Sequence, residues 1–587
     1  MTTISFHFHG YQPGDLIRWR EPDPLKSQSW EERVSPVSHA VGADRFSGRN
    51  WTDAVLQTYG RLQAVLDRAA GAASVDIEPQ TLVWLLQRDP DAFHRVRASF
   101  ERGSAALALT PPFHPILPHL HRFEREVLFE LMIDFHAPLL RGRPEAHPGL
   151  WLPEAAFSRE TIEDYLRAAR GAAIRGEGLP DLTHAVHLLL DARQFSDSGK
   201  TAGAWAAVDG APGIAAVGRD PSLSSEFAFG SKGPSEFSRA ALARGMGHVF
   251  VASDLESLLA NPAQAERFEA IVQTLRTQGA EVRAPVPPSG LENVPVVDFS
   301  SWSDYDEYLQ SGHTSDTRWT GLLRQGGLVV PRMHRGRRMS QLWKHAFTLA
   351  SERIEAVVRR AGQKVLKEKG VEKPPESLRH LSVAYGRHLF RPYYLACGTA
   401  AAELDVEAAM SAILRGRVDL ELAGYVARGY VFMLMGLRSD PRFWDNPDTR
   451  VTFQNVACLA HSLVDMAEAC RRAGDEATAT RLLRLLRASL LEFSEGFARW
   501  SFGTLQGLEG WETTEEAWLE SLQSEVPDRS PYDVVKRAAL FAVGERLPRS
   551  IDLPRVRPEE VVADTGHIAG EAHGQWENPA WCEHRPS

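Results

Sequence analysis

The sequence predicts an α/β protein: βα units around a mostly parallel sheet, followed by an all-helical C-terminal domain. Three observations carry this. Short apolar, strand-like runs alternate with helix-like stretches through the first half of the 587 residues. Polar and titratable residues recur just past the ends of those runs. Beyond about residue 340 the strand signals fade, and apolar stripes at helical spacing take over. Such alternation is the pattern of βα units around a mostly parallel sheet, and a chain this long exceeds a single hydrophobic core.

The elements follow in order. Residues 3–8 (TISFHF) are β-rich and open the chain as a strand. Apolar positions in 51–69 repeat at helical spacing. Residues 73–77 (ASVDI) predict a second strand, with the helical TLVWLLQRD behind it. A third strand over 104–109 ends at Pro111 and Pro112, and a helix is expected over 122–140. Residues 149–153 then lead into Glu154, and HAVHLLL (184–190), GIAAVG (213–218) and GHVFVAS (247–253) supply further strands. From about Ser340 to Gly503 the pattern is helical throughout, as in QLWKHAFTLASERIEAVVRRAG. The expected domains are a βα domain over 1–330, a helical domain over 331–550 and a C-terminal tail over 551–587.

Composition narrows the function. Hydrophobic residues make up 43% and charged residues 24%, the balance of a soluble globular chain. A net charge of −10 argues against a large basic surface for nucleic acid. No run of ~18 apolar residues is present to span a membrane, and the first residues, MTTISFHFHG, lack the basic and long apolar segments of a leader. The four cysteines form no CxxC pair, and Cys458 and Cys470 sit in apolar helical sequence as buried thiols, so a reducing, cytoplasmic setting is expected.

Function in parallel α/β folds gathers at the C-terminal ends of the strands. Here those ends carry His7 and His9, His114, Glu154, Arg219 and Asp220, and Asp254 and Glu256. His7 and His9 point to one side of their strand, as a satisfied core pair, a metal pair or a sugar-binding pair. Ser158, with Glu160 in the first turn, is a better N-cap for the following helix than Glu154, which leaves Glu154 without a structural task. Asp254 either caps the helix LESLLA or faces the cleft. Two carboxyl groups on separate strand-end loops suit glycoside hydrolysis, where retaining enzymes hold them about 5–5.5 Å apart. Trp151 would offer an apolar wall to sugar rings, with Arg and His as donors to hydroxyls.

The ordered motifs resemble glycoside hydrolase family 57. HFHGYQP (7–13) is similar to its first motif, in the HGHFYQP variant of a less characterised bacterial subgroup. SVDIEPQTLVWLLQ resembles the family's SFNFGPTLLSWL segment, and FHPILPHL its HPILP-type second motif. GRPEAHPGLWLPEAAFSRETIEDYL resembles the third motif, whose Glu is the nucleophile, here Glu154. GRDPSLS resembles an RDxxLS segment, and HVFVASDLES falls where the fourth motif carries the acid/base, here Asp254. SSWS (300–303) resembles a later SWS element, and FMLMGLRSDPRFWD falls where an aromatic active-site segment is often found.

The resemblance implies a distorted (β/α)7 barrel over 1–330, with the all-helical C-terminal domain over 331–550 covering the active site, and a retaining enzyme acting on α-glucans or oligosaccharides, of amylase, 4-α-glucanotransferase or branching type, with no metal and no organic cofactor. It implies Glu154 and Asp254 as catalytic residues, and His7, His9, Gln12, His114, Trp151, Arg219, Asp220, Trp302 and Trp444 as substrate contacts. The sequence departs from the fourth motif at Leu255 and the LLANP loop. Two other readings therefore stand beside the first. One is a catalytically impaired, carbohydrate-binding family member, or an enzyme whose acid is Asp220 or Glu256. The other is a metal-dependent hydrolase of deacetylase or mannosidase type.

Overall fold

The computed structural model describes residues 2–11, 59–143, 146–175, 178–196, 205–211, 213–245, 247–259, 262–304, 317–320, 332–334, 337–339, 342–443, 450–486 and 489. They form two compact units. The first holds the described residues from 2 to 304 together with Leu389–Leu404, and the second holds those from 317 to 388 and from 405 onward. The stretch 389–404 thus packs with the barrel, not with the helical domain expected from 331 onward. Its Tyr393 ring stacks on Phe135 at 3.9 Å, and the Tyr394 hydroxyl donates to Asp134 at 2.6 Å.

The first unit is a curled, mostly parallel sheet. Its strands are β1 (Thr3–Gly10), β2 (Ala73–Ile77), β3 (Ala106–Leu109), β4 (Gly149–Leu150), β5 (His187–Asp191), β6 (Trp205–Val208), β7 (Ala215–Arg219), β8 (His248–Asp254), β9 (Glu281–Val282) and β10 (Asn293–Val294). Their order is β10-β6-β7-β5-β4-β3-β2-β1-β8, with β9 added to the start of β1. Along the run β7-β5-β4-β3-β2-β1-β8 every pairing is parallel, which gives seven barrel strands. Between β7 and β8 the curl is drawn together by the Asp220 N–H, which donates to the Phe250 carbonyl at 2.7 Å. The antiparallel strand β6 and the short β9 and β10 were not foreseen, because two to four apolar residues carry too little periodicity to register.

Side chains alternate along each strand, so one face of every barrel strand fills the interior. Ala108, Trp151, Ala155, Leu189, Val217, Phe250 and Ala252 form that core, each at most 1% exposed. Gly149 sits in a tight spot, where a Cβ would meet Leu189 at 3.0 Å and Ala108 at 3.1 Å and those side chains would have to give way. Helices cover the outer faces. Ser158 does cap the helix after β4, its Oγ accepting from the Thr161 N–H at 3.2 Å.

The second unit is built on helices Leu342–Glu368, Leu420–Gly436 and Arg450–Ala473. Gly436 lets two of them approach closely, since a Cβ there would fall 2.6 Å from Leu459. Arg428 and Asp465 form a buried ion pair between the same two helices. A small antiparallel hairpin, Arg332–His334 with Arg337–Met339, precedes them. No described helix is long and apolar enough to cross a membrane. The expected tail over 551–587 lies outside the described residues.

The first unit also buries histidines, His187 on β5 and His136 on the helix Arg122–Leu140. His187 packs its ring edge-on against Trp205 at 5.2 Å, and burial, with His7, His147 and His248 nearby, pushes it down to about 3. Burial likewise pushes His136 down to about 4. An unfolded histidine titrates near ~6.5, so below that pH the unfolded chain binds protons that the folded chain refuses. Stability is therefore expected to fall as pH drops from about 6.5 toward 4, by about 1.4 kcal/mol per unit of lowering for each group. Denaturant midpoints measured across that range should show the slope, and His187→Phe, which keeps a ring against Trp205, should flatten it.

Candidate active site

Glu154 stands at the end of β4 in a turn that most side chains avoid. Its backbone is left-handed (φ 60°, ψ 20°), as is that of Ala155 (φ 48°). The same holds for Phe113 (φ 70°) and His114 (φ 48°) after β3. Left-handed backbone without glycine costs energy and persists only where its surroundings over-determine it. Those surroundings are identifiable. The buried Glu78 carboxylate accepts from the Phe113 N–H at 2.8 Å while capping its own helix through the Thr81 N–H at 3.0 Å. Gln194 donates to the Ala155 carbonyl at 2.9 Å and to Ser300 Oγ at 3.1 Å.

Segment 296–302 brings a distant tryptophan to the site. It is stitched across the strand ends by Val297 N–H to Gln194 O at 2.7 Å, Phe157 N–H to Ser300 O at 2.8 Å and Trp302 N–H to Glu154 O at 3.2 Å. The Trp302 indole N–H then donates to Glu154 Oε2 at 2.9 Å. Arg219, at the end of β7, lies over the Trp302 ring at 4.6 Å and donates to buried Asp191 at 2.7 Å. Arg193 also pairs with Asp191 and donates to the Trp302 carbonyl at 2.5 Å.

The other Glu154 oxygen faces a histidine chain. His114 Nδ1 lies 3.9 Å from Glu154 Oε1, and His114 Nε2 is hydrogen-bonded to His9 Nε2 at 3.0 Å. His9 Nδ1 is bonded to Asp76 Oδ2 at 2.8 Å. Burial alone would lower the His9 ring, but Asp76, with help from Asp254 and Glu256, pushes it up to about 9, so it is cationic at neutral pH. Burial and the His9 charge hold His114 well below its ordinary value, so it is neutral. Burial would raise Asp76, but His9 and His7 outweigh it and hold the carboxyl low.

Asp254 ends β8 directly beside His9, with which it is paired in register. It is exposed, and among the described residues no hydrogen bond reaches its carboxyl. Although solvent touches it, the crowded barrel mouth withholds solvation and pushes its carboxyl up. His9 and Arg219 pull the other way, and Asp76 adds to the rise. Its backbone carbonyl, not its side chain, accepts from the Ser257 hydroxyl at 2.6 Å. Leu255 is fully buried, and its Cδ2 would lie 3.1 Å from a Cβ on Gly10, so it packs into the space that this glycine leaves.

Glu154, Asp254, His9, His114, Arg219 and Trp302 therefore form one cluster. Three expected contacts sit elsewhere. His7 is fully buried, with Nδ1 bonded to Ser74 at 2.9 Å and Nε2 3.0 Å from Asp76 without hydrogen-bond alignment, so it lies beneath the site. Trp151, 1% exposed, is part of the barrel core and meets Trp302 edge-on at 4.8 Å, so Trp302 takes the wall position expected of it. Asp220 is a helix N-cap, accepting from the Leu223 N–H at 2.9 Å and pairing with Arg244 at 2.8 Å. Glu256 accepts from the Tyr59 hydroxyl at 2.9 Å. Gln12 and Trp444 lie outside the described residues. Asp76, Asp191 and Arg193 were missed. Asp76 was the one with a signal, a lone acid inside the apolar strand ASVDI. Among the described residues no group of three or more His, Cys, Asp or Glu is arranged to hold a metal ion.

A parallel barrel with carboxyl groups gathered at its strand ends suits carbohydrate chemistry, and comparison with known proteins gives the class: the chain is a glycoside hydrolase or α-glucan transglycosylase. Residues 1–287 match the N-terminal domain, and residues 318–566 the C-terminal domain, of the maltose-forming alpha-amylase-like proteins. The chain belongs to that family. It is 32% identical to the crystal structure of an exo-type maltose-forming amylase from Pyrococcus sp. ST04, over 100% of both chains, with a TM-score of 0.74. More distantly, it is 10% identical to a GH57-type branching enzyme from Pyrococcus horikoshii, over 83% of this chain and 97% of that one, with a TM-score of 0.43. A 4-alpha-glucanotransferase from Thermococcus litoralis is 12% identical over 79% of this chain and 58% of its own, with a TM-score of 0.41. No curated protein matches the chain.

The role of Glu78 can be tested directly. Glu78→Ala removes a helix cap and the acceptor for the Phe113 N–H, so stability should fall by roughly 2–4 kcal/mol. Turnover should fall as well, because His114 loses the anchor of its turn. Glu78→Gln keeps one acceptor oxygen and should lie between, measured by denaturant titration and by kcat on maltooligosaccharides.

Proposed function

We propose that this enzyme cleaves α-glucans from a chain end and releases maltose by retaining double displacement, as a member of glycoside hydrolase family 57. Glu154 is the nucleophile and Asp254 the acid/base. The observation that carries the reading is the Glu154 turn, in which a strained backbone and the Trp302 indole aim one buried carboxylate at the mouth of the barrel. The exo-type maltose-forming amylase matched over the full chain supports the choice of product.

The roles follow from the two environments. Glu154 attacks the anomeric carbon as Asp254 gives its proton to the departing glycosidic oxygen, and a glycosyl ester forms on Glu154. A carboxyl held above its ordinary value is suited to carry that proton near neutral pH. Asp254, now a carboxylate, then takes a proton from water, which opens the ester with the configuration retained. The departure at Leu255 leaves this scheme intact, because that side chain turns into the core and away from the cleft. The ring nitrogens of His9 are both engaged by Asp76 and His114, which favours a positioning role over metal ligation.

Two variants test the division of roles. Glu154→Gln should keep the fold and sugar binding but lose almost all turnover, since an amide cannot form the glycosyl ester. Asp254→Ala should still react at the first step with a nitrophenyl α-glycoside, accumulate the glycosyl-enzyme, and recover turnover with azide to give a glycosyl azide of retained configuration. Incubation with amylose should release maltose from the outset while long chains persist. Lengthened chains would point to transglycosylation instead. A fully active Glu154→Gln would overturn the assignment, and wild type inert on every α-glucan would favour the sugar-binding reading.

A further inference from the structure

Beneath the proposed nucleophile runs a chain of buried groups that the double displacement does not itself use. We propose that Asp76 is a positioning residue: through His9 it fixes which nitrogen of His114 carries the proton, so that an N–H and not a lone pair faces the Glu154 carboxylate. This rests on the reading of Glu154 as nucleophile.

The geometry leaves two arrangements. Asp76 Oδ2, 2.8 Å from His9 Nδ1, is an acceptor, so His9 Nδ1 carries a hydrogen in both. When His9 is cationic, its Nε2–H donates across 3.0 Å to His114 Nε2. Neutral His114 then holds its single hydrogen on Nδ1, the atom 3.9 Å from Glu154 Oε1. When His9 is neutral, its Nε2 becomes an acceptor and the 3.0 Å contact survives only if His114 Nε2 donates. That leaves a bare lone pair on Nδ1 opposite the carboxylate. One proton on His9 thus reverses the sign of the contact at Glu154. The 3.9 Å gap is longer than a hydrogen bond in the free enzyme, and such contacts tighten when substrate fills the site.

The titratable groups around His9 are Asp76 from β2, His7 on its own strand, His114 after β3, Tyr11, Asp254 at the end of β8 and Glu256 just beyond. Asp76 contributes most to keeping His9 charged, and the chain's other acids contribute less. The neutral form of His9 should therefore appear only at alkaline pH, near about 9, in wild type. Without the Asp76 charge, burial should bring it into the neutral range.

The test is the pH profile of kcat/KM on a nitrophenyl α-maltoside, whose leaving group needs no protonation, so that titration of Asp254 drops out. Wild type should show an alkaline limb near pH 9. Asp76→Asn keeps size and one acceptor oxygen, and should move that limb down by at least one unit, with at least a tenfold loss at pH 8 that is regained at lower pH. A purely structural role would lower activity at all pH values alike. His114→Gln offers a donor and an acceptor on separate atoms that cannot exchange, so it should lose the limb. An unmoved limb in Asp76→Asn, or an intact limb in His114→Gln, overturns the proposal; should Asp76→Asn fail to fold, the His114→Gln profile decides. A dead Glu154→Gln alongside unmoved limbs would sink the relay alone, whereas an active Glu154→Gln would sink the nucleophile reading on which it rests.

Discussion

A carboxylate placed in the interior of a barrel is costly unless cations and donors meet it there, and leaving it unpaired costs several kcal/mol. Among the carboxylates buried at the strand ends are Asp76 and Asp191, both without solvent exposure. Each is met by a cation, Asp76 by His9 and Asp191 by Arg219 and Arg193. Each cation in turn reaches Glu154 through one intermediate ring: His9 through His114, and Arg219 through Trp302. The two arms converge on opposite oxygens of Glu154. The demand to satisfy two buried charges therefore sets the directions of the hydrogen bonds around Glu154, the proposed nucleophile.

Strain and support are arranged together. Four of the seven described non-glycine residues with left-handed backbone are Phe113, His114, Glu154 and Ala155, in two pairs at the ends of neighbouring strands. A turn of this kind relaxes unless its carbonyls and N–H groups are engaged elsewhere. Glu78 and Gln194 do this from the adjacent strand ends β2 and β5, and segment 296–302 closes over both. Such support fixes the Glu154 carboxylate in advance, the preorganisation that its proposed role as nucleophile calls for.

Much of this was legible in the sequence, for physical reasons. Seven barrel strands could be placed because each is a short apolar run followed by a turn-forming or polar residue, and Glu154 stood out because Ser158 had already taken the capping position. What could not be read was depth. His7 and His9 have the same side-chain direction, yet two residues of strand rise put His7 among core atoms and His9 at the site. Trp151 and Trp302 were both expected at the site, yet Trp151 lies in the barrel core, while Trp302 is held at Glu154 by backbone pairing of a distant segment. Asp220 read as a site residue because a cap before a proline-initiated helix and a strand-end acid look alike in one dimension.

In the proposed mechanism the two carboxyl groups owe their different roles to surroundings, not to residue type. Glu154 is buried, fixed in a strained turn and met by an indole N–H, so its geometry is set and solvent is kept from it. Asp254 is exposed, with no hydrogen bond to its carboxyl among the described residues, and sits between the cations of the two arms, His9 and Arg219. Those cations restrain the rise that crowding imposes on it, which suits the acid/base role proposed for Asp254. A single device serves both residues: the charges that Asp76 and Asp191 hold in place aim the rings at Glu154 and, from the other side, adjust the proton affinity of Asp254. Environments that push two carboxyls apart in this way are what distinguish a nucleophile from an acid/base when the side-chain chemistry is nearly the same.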